Sequence, residues 1–269
     1  MIRHVEELTI PELTIYHERN EVRLRRLYEP EEGVFICESE KVIRRAMEAG
    51  YEPLSFLTEE KHLSGMRDFF DGLEKTIPVY YSDKDTLSTL AGYKLTGGLL
   101  ACFRRKKLPS IEEICRIKKR IAVLYDVENP TNAGAIFRSA AALFVEAVIL
   151  TSDCTDPLYR RASRVSMGTV FQIPWTRAGA EENCLDILHS LGFRTAAFAL
   201  TERSVSADDK KLKAERKLAI VLGNEGYGLP EEVISQSDYV VKIPIASGID
   251  SLNVAAASAV AFWELGKKI

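Results

Sequence analysis

Leu218-Ala219-Ile220-Val221-Leu222 is an unbroken apolar run that stops at Gly223-Asn224-Glu225-Gly226-Tyr227-Gly228-Leu229-Pro230. A run this short and this apolar, ended by turn residues, predicts a buried strand entering a tight loop. The pattern returns downstream. Tyr239 to Ile243 (YVVKI) leads into Pro244-Ile245-Ala246-Ser247-Gly248-Ile249-Asp250-Ser251-Leu252-Asn253, and an alanine-rich helix then runs to near Lys267. Each strand delivers a loop of small and polar residues, where backbone groups are free to hold a ligand.

Working upstream, the same alternation continues. Strand Ile121 to Tyr125 enters Asp126-Val127-Glu128-Asn129-Pro130-Thr131-Asn132-Ala133-Gly134, where the proline imposes a turn, Asn132 is a predicted cap, and Ala133 to Phe144 is a predicted helix. Strand 147–150, helix 157–166, strand 170–174, helix 181–191 and strand 195–200 follow. This rhythm predicts an α/β fold with a mostly parallel sheet, whose ligand site lies at the carboxyl ends of its strands. All three polar, glycine-bearing loops fall at such ends.

The first hundred residues form a smaller α/β unit. Residues 1 to about 30 are charged and predicted helical, with Arg19, Arg23, Arg25 and Arg26 close together. Strands at 33–37, 54–57, 77–81 and 98–103 alternate with helices at 40–49, 63–70 and 86–90. The basic run Arg104-Arg105-Lys106-Lys107, with Leu108-Pro109-Ser110 after it, marks the end. The expected organisation is residues 1–108 as one domain, 109–116 as a linker and 117–269 as a second domain.

With 269 residues, 46% of them hydrophobic, the chain has ample material for a core, and its net charge of −3 recruits no nucleic acid globally. RNA or DNA contact must come from local basic patches. Five scattered cysteines, Cys37, Cys102, Cys115, Cys154 and Cys184, form no CxxC pair, which argues against a disulfide framework or a zinc site and fits a reducing cytoplasm. The four histidines have no ligand spacing, so no metal is expected. There is no apolar run of membrane-spanning length and no leader-like start, so no membrane association is expected either.

Three stretches, in order within the second domain, resemble the signature motifs of the SpoU/TrmH family of RNA ribose 2′-O-methyltransferases, within the SPOUT superfamily. They are Asn129-Pro130-Thr131-Asn132-Ala133-Gly134-Ala135-Ile136-Phe137-Arg138-Ser139-Ala140, then Leu222 through Leu229, then Ile243-Pro244 through Ser251-Leu252-Asn253-Val254-Ala255. The first domain resembles the family's substrate-binding domain more loosely, around Phe35-Ile36-Cys37-Glu38-Ser39. One departure stands out: the family's third motif reads I-P-M-x-G, whereas here Ile245 replaces the methionine and the glycine comes one place later, at Gly248.

The resemblance implies a C-terminal trefoil-knot domain that binds S-adenosylmethionine, works as a homodimer and methylates a ribose 2′-hydroxyl. Ribosomal RNA, of the 23S class, is the expected substrate, with transfer RNA as the alternative. By position, Leu200, Gly223, Glu225, Gly226, Ile243, Ile245 and Leu252 would hold the cofactor, and Arg138, Glu225, Ser251 and Asn253 would border methyl transfer. Asn129, Asn132, Arg138, Arg160, Arg161 and Arg164 would meet RNA. Because an arginine is effectively never deprotonated, Arg138 is expected to clamp the adjacent phosphate, and either Glu225 or an RNA phosphate oxygen would take the proton. Arg104 to Lys107 and Lys118-Lys119-Arg120 are further basic candidates for RNA, each alone as compatible with a solvated face. Two rivals come from other classes. A non-catalytic RNA-binding or assembly factor would be marked by loss of Arg138, Glu225 or Asn253, all of which are present; a dinucleotide-dependent oxidoreductase would need a GxGxxG loop, which the spacing after Leu222 does not supply.

Overall fold

Strands form where β-branched and aromatic residues gather between turn residues, and the computed structural model places them in two sheets. It describes residues 2–6, 10–17, 33–91, 98–246, 248 and 251–266. The chain divides into two units, Met1–Lys107 with Leu158–Gly168, and Leu108–Pro157 with Thr169–Ile269. The expected continuous run 117–269 is therefore interrupted: eleven of its residues, 158–168, group with the first unit.

In the first unit β1 (Ile2–His4), β2 (Val34–Glu38), β3 (Pro53–Glu59), β4 (Val79–Ser82) and β5 (Leu99–Arg104) make a sheet of order β1-β4-β3-β5-β2. β4 runs parallel to β1 and β3, while β5 is antiparallel to both β2 and β3. All five residues of β2 are buried, and the helix Glu40–Glu48 lays down Val42, Ile43 and Ala46 as its buried stripe. Two expectations change here. The predicted N-terminal helix begins instead as β1, a 3-10 turn at Pro11–Leu13 and a short helix Thr14–His17; Arg19, Arg23, Arg25 and Arg26 lie outside the described residues. The predicted helix 63–70 is two short ones, Glu60–Leu63 and Arg67–Asp71, broken around Gly65, where helix is weakly favoured.

The helix Arg160–Val165 packs on β2 within this unit. Arg45 Nη1 donates to the Met167 carbonyl at 2.7 Å. Arg164 Nη1 lies 3.3 Å from both carboxylate oxygens of Glu38, whose side chain is 1% exposed. A carboxylate so buried is costly without a partner, and Arg164 is that partner.

Among its described residues the second unit holds seven strands, β6 (Arg120–Leu124), β7 (Ala147–Leu150), β8 (Trp175–Arg177), β9 (Arg194–Phe198), β10 (Val205–Ser206), β11 (Leu218–Leu222) and β12 (Tyr239–Lys242), in the order β10-β12-β9-β11-β6-β7-β8. Every strand pairing described in this sheet is parallel. β6, β7 and β11 have nearly every residue buried, as a sheet covered on both faces requires. The predicted strand 170–174 is corrected: Thr169–Phe171 is a 3-10 turn, and the strand starts only at Trp175. Pro174 has no N–H for a ladder, and its carbonyl accepts from Val148 N at 3.0 Å just before pairing begins. Two short helices, Lys210–Ala214 and Glu231–Gln236, have no counterpart in the sequence reading.

Arg120, considered above as an RNA contact, is committed elsewhere. Its guanidinium donates to the carbonyls of Leu265 (2.9 Å), Glu215 (2.7 Å), Lys119 (3.1 Å), Arg216 (3.3 Å) and Lys213 (3.4 Å). It thereby ties the amino end of β6 to the end of the last helix, Val254–Leu265. Burial lowers its pKa, while Glu146 and Glu215 act in the opposite direction. Arg120→Ala is expected to cost about 2–4 kcal/mol of unfolding free energy, read by urea titration, since charged hydrogen bonds are lost and carbonyls stay partly desolvated.

Candidate active site

Leu222 pairs with Leu124 in register, so the loops after β11 and β6 leave the sheet side by side. The strand order turns outward from this pair in both directions, a topological switch point where an open parallel sheet places a ligand. Asn224 closes the β11 loop. Its backbone exchanges hydrogen bonds with Gly228 (2.9 and 3.1 Å), its Oδ1 accepts from Gly226 N at 2.7 Å, and its Nδ2 donates to the Asp126 carbonyl at 2.7 Å in the neighbouring loop. Gly223 makes this closure possible: a Cβ there would lie 2.5 Å from the Gly228 oxygen and 2.7 Å from Leu229 N, both backbone atoms.

Glu225, Asn132 and Asn253, one from each motif loop, form a continuous hydrogen-bonded line. Glu225 Oε1 accepts from Asn129 N at 3.1 Å and Asn132 Nδ2 at 2.9 Å, and its Oε2 accepts from Glu128 N at 3.3 Å. Asn132 Oδ1 in turn accepts from Asn253 Nδ2 at 3.2 Å. Asn253 Oδ1 caps the last helix by accepting from Ala255 N at 2.9 Å. The helix that starts the first motif is Pro130–Ala142, capped by Asn129, which accepts from Thr131 N at 2.8 Å, and not by Asn132 as predicted. Pro130 explains the difference, because a proline at the first helical position gives up an N–H that had no partner there.

The sequence reading missed what supports this line. Asp126 adopts φ +55°, in the left-handed region that Asp tolerates. Its carboxylate accepts from Thr151 Oγ1 at 2.7 Å and from the Tyr227 hydroxyl at 3.2 Å. Arg177 then fixes the loop after β7, donating to the carbonyls of Thr151, Ser152, Cys154 and Thr155 at 2.8–3.2 Å. An aspartate directly after an apolar strand was a visible turn signal; the arginine, on a strand formed late in the chain, carried none.

A cleft of about 130 Å³, open to solvent, lies at the carboxyl ends of β9 and β12. Five residues expected at the cofactor or the transfer centre line it: Leu200, Ile243, Ile245, Ser251 and Leu252. Phe198, Ala199, Val241, Lys242 and Ala257 complete the wall. Leu200 is 61% and Leu252 39% exposed, and large aliphatic side chains left in water beside a concavity mark a surface meant to be covered. The wall is largely apolar, with Lys242 and Ser251 as its polar side chains, the make-up of a small-molecule site. Gly223, Glu225 and Gly226, also assigned to the cofactor, belong to the neighbouring loop and do not line this cleft. In the third motif Gly248 sits at φ +85°, while Ser247, Ile249 and Asp250 lie outside the described residues.

Arg138 lies on the third turn of Pro130–Ala142, exposed, and makes no hydrogen bond or ion pair with any described residue. Arg160, Arg161 and Arg164 sit together on the helix of the first unit, none of them without a partner. Among the other basic runs, Arg104 pairs with Glu52 at 3.1 Å and Lys106 Nζ donates to the Ala49 carbonyl at 2.7 Å.

Comparison with known proteins gives one consistent result. The SpoU rRNA Methylase family matches residues 119–263. A tRNA/rRNA methyltransferase of Mycobacterium tuberculosis (strain ATCC 25618 / H37Rv), itself uncharacterized, is 33% identical over 255 residues, 94% of this chain and 88% of that protein. Among solved structures, an rRNA methyltransferase from Sinorhizobium meliloti superposes with a TM-score of 0.79 at 23% identity, covering 98% of this chain and 97% of that one. The SpoU methyltransferase AviRb from Streptomyces viridochromogenes, in complex with AdoMet, gives 0.76 at 22% identity over 94% of each chain. At these identities the structures establish the shared fold.

Proposed function

The chain belongs to the SpoU rRNA methylase family, a family of S-adenosylmethionine-dependent tRNA and rRNA methyltransferases, and from that membership we propose that it methylates a ribose 2′-hydroxyl, in 23S-class ribosomal RNA. The observation that carries this reading is the Glu225–Asn132–Asn253 line, which unites the three motif loops beside a cleft to which the third loop contributes Ser251 and Leu252. S-adenosylmethionine supplies an electrophilic methyl group when bound. Leu200, Ile243, Ile245, Ser251 and Leu252 would hold it in the cleft, with Gly223 and Gly226 shaping the adjoining loop.

In-line transfer depends chiefly on positioning the ribose oxygen. Arg138, exposed and uncommitted among the described residues, serves as the phosphate clamp that pins the ribose and stabilises the developing oxyanion. Glu225 is already engaged by three donors on its two oxygens. That favours a positioning role for Glu225 and leaves a phosphate oxygen of the RNA as proton acceptor. Asn129 and Asn132 shape the RNA-facing start of the helix; Arg160, Arg161 and Arg164 are RNA contacts of the first unit, Arg164 also compensating Glu38.

The trefoil knot belongs to the same proposal, supported by a cleft built from the loops after β9 and β12 and the start of the last helix, the segments such a knot interleaves. So does a homodimer working in the cytoplasm. Trp263 on the last helix and Phe144, 60% and 42% exposed, line one groove, an apolar surface suited to a second copy; a solution mass of one chain would count against it. Among the described residues no helix is long and apolar enough to cross a membrane.

The deciding assay is transfer of labelled methyl from S-adenosylmethionine to total RNA from a host lacking the gene, with nuclease mapping. Label at a single ribose 2′-oxygen of 23S RNA is the expected result. Label in transfer RNA would move the substrate to the alternative, and cofactor binding with no transfer to any RNA would favour the non-catalytic factor.

A further inference from the structure

Among the described residues, three large side chains with apolar surface stand exposed on the loops at the carboxyl end of the parallel sheet: Leu200, Leu252 and Tyr227. The cleft accounts for the two leucines, but Tyr227 is not part of its wall. Tyr227 is 61% exposed and yet fixed at both ends. The hydroxyl donates to Asp126 Oδ2 at 3.2 Å, and the backbone N–H donates to Asn224 Oδ1 at 3.4 Å within the turn that Asn224 and Gly228 close. Tyr227 stands two residues beyond Glu225 on that same turn.

We propose that Tyr227 is a stacking platform for an unpaired nucleobase of the RNA, adjacent to the ribose being methylated; the proposal rests on the RNA-methyltransferase reading above. The surroundings choose the ligand. The carboxylates of Asp126, Glu128 and Asp153 lie close enough to act on the Tyr227 hydroxyl, so a phosphate is repelled from this spot while the uncharged face of a base is not. Aromatic side chains recognise RNA through splayed-out bases, whose faces are free only outside a duplex. A ring already tethered at its hydroxyl loses little conformational entropy when a base covers it, which makes the exposed position productive. Arg138 takes the phosphate and Tyr227 the base: two different groups of one nucleotide segment meet two chemically different surfaces.

The test uses the full-length protein, S-adenosylmethionine and total RNA from a host lacking the gene, comparing the parent with Tyr227→Ala and Tyr227→Trp. Loss of one base–aromatic stack is expected to raise KM for RNA about tenfold in Tyr227→Ala, with the Kd for S-adenosylmethionine unaltered. Tyr227→Trp is expected to restore KM to within about threefold of the parent, because it keeps a stacking face. An unaltered RNA KM in Tyr227→Ala, with the parent active, overturns the stacking role and leaves the enzyme reading standing. Parallel loss of cofactor affinity, or no rescue by tryptophan, assigns the ring to loop support instead. A drop in solution mass places the ring against a second copy. A parent that transfers no methyl group to RNA removes the enzyme reading and the inference together.

Discussion

Arg138→Ala is expected to lower methyl transfer to RNA about 10²–10³-fold, the loss typical of removing one preorganised donor from a developing oxyanion, while the Kd for S-adenosylmethionine stays within about twofold. The split follows from placement. Arg138 projects from the helix Pro130–Ala142, and the residues lining the cleft come from other segments. Being uncommitted to any described residue, its guanidinium can be removed without orphaning a buried group, so the variant should unfold at the parent's temperature to within about a degree or two. Arg138→Lys should fall between the two, since an ammonium keeps the charge but not the planar fork that grips a phosphate in two places. Single-turnover rates with saturating cofactor are the measurement. A rate near the parent's in Arg138→Ala would sink the phosphate-clamp role.

How much of this was legible in the sequence depends on how far apart the cooperating residues stand. Leu218–Leu222 and Ala147–Leu150 appear as strands at the residues predicted, because a strand buried on both faces writes its signal into consecutive apolar positions. Leu200, Ile243, Ile245, Ser251 and Leu252 line one cleft. What sequence could not supply is pairing over long separations. Glu38 and Arg164 are 126 residues apart, and nothing local says that a helix following β7 packs against the first unit's sheet. Arg120 looked like part of a surface basic run because its five carbonyl acceptors, four of them some ninety or more residues away, carry no side-chain signature. Glu225, placed by the resemblance, is one of two candidate proton acceptors beside an RNA phosphate oxygen; the three donors that occupy it come from backbone and amide groups in a different loop.

Gly223→Ala is a change to which the loop after β11 should be acutely sensitive, and a neighbouring glycine supplies the control. The two residues are glycine for different reasons. At Gly228 the requirement is conformational: φ is +72° with open space where a Cβ would be, so alanine costs about 1–2 kcal/mol of backbone strain. At Gly223 it is spatial: the Cβ would collide with the Gly228 carbonyl and Leu229 N, which cannot swing aside as a flexible side chain can. Relief requires the Asn224–Gly228 closure to open, and with it go the Asn224 bond to the Asp126 carbonyl and the placement of Glu225 on the motif-one amides. Overpacking typically costs about 1–3 kcal/mol, and a clash with backbone that cannot yield belongs at the upper end of that range. A displacement near 1 Å at a positioning residue lowers turnover roughly 100-fold. Gly223→Ala should therefore show both a clearly lower unfolding midpoint and a collapse of kcat, whereas Gly228→Ala should show a smaller stability loss and keep most of its turnover. Equal, mild effects in the two variants would mean that the closure of this loop does not control the site; a selective loss of turnover in Gly223→Ala would identify the backbone contact between Gly223 and Gly228 as the point where sheet and chemistry are joined.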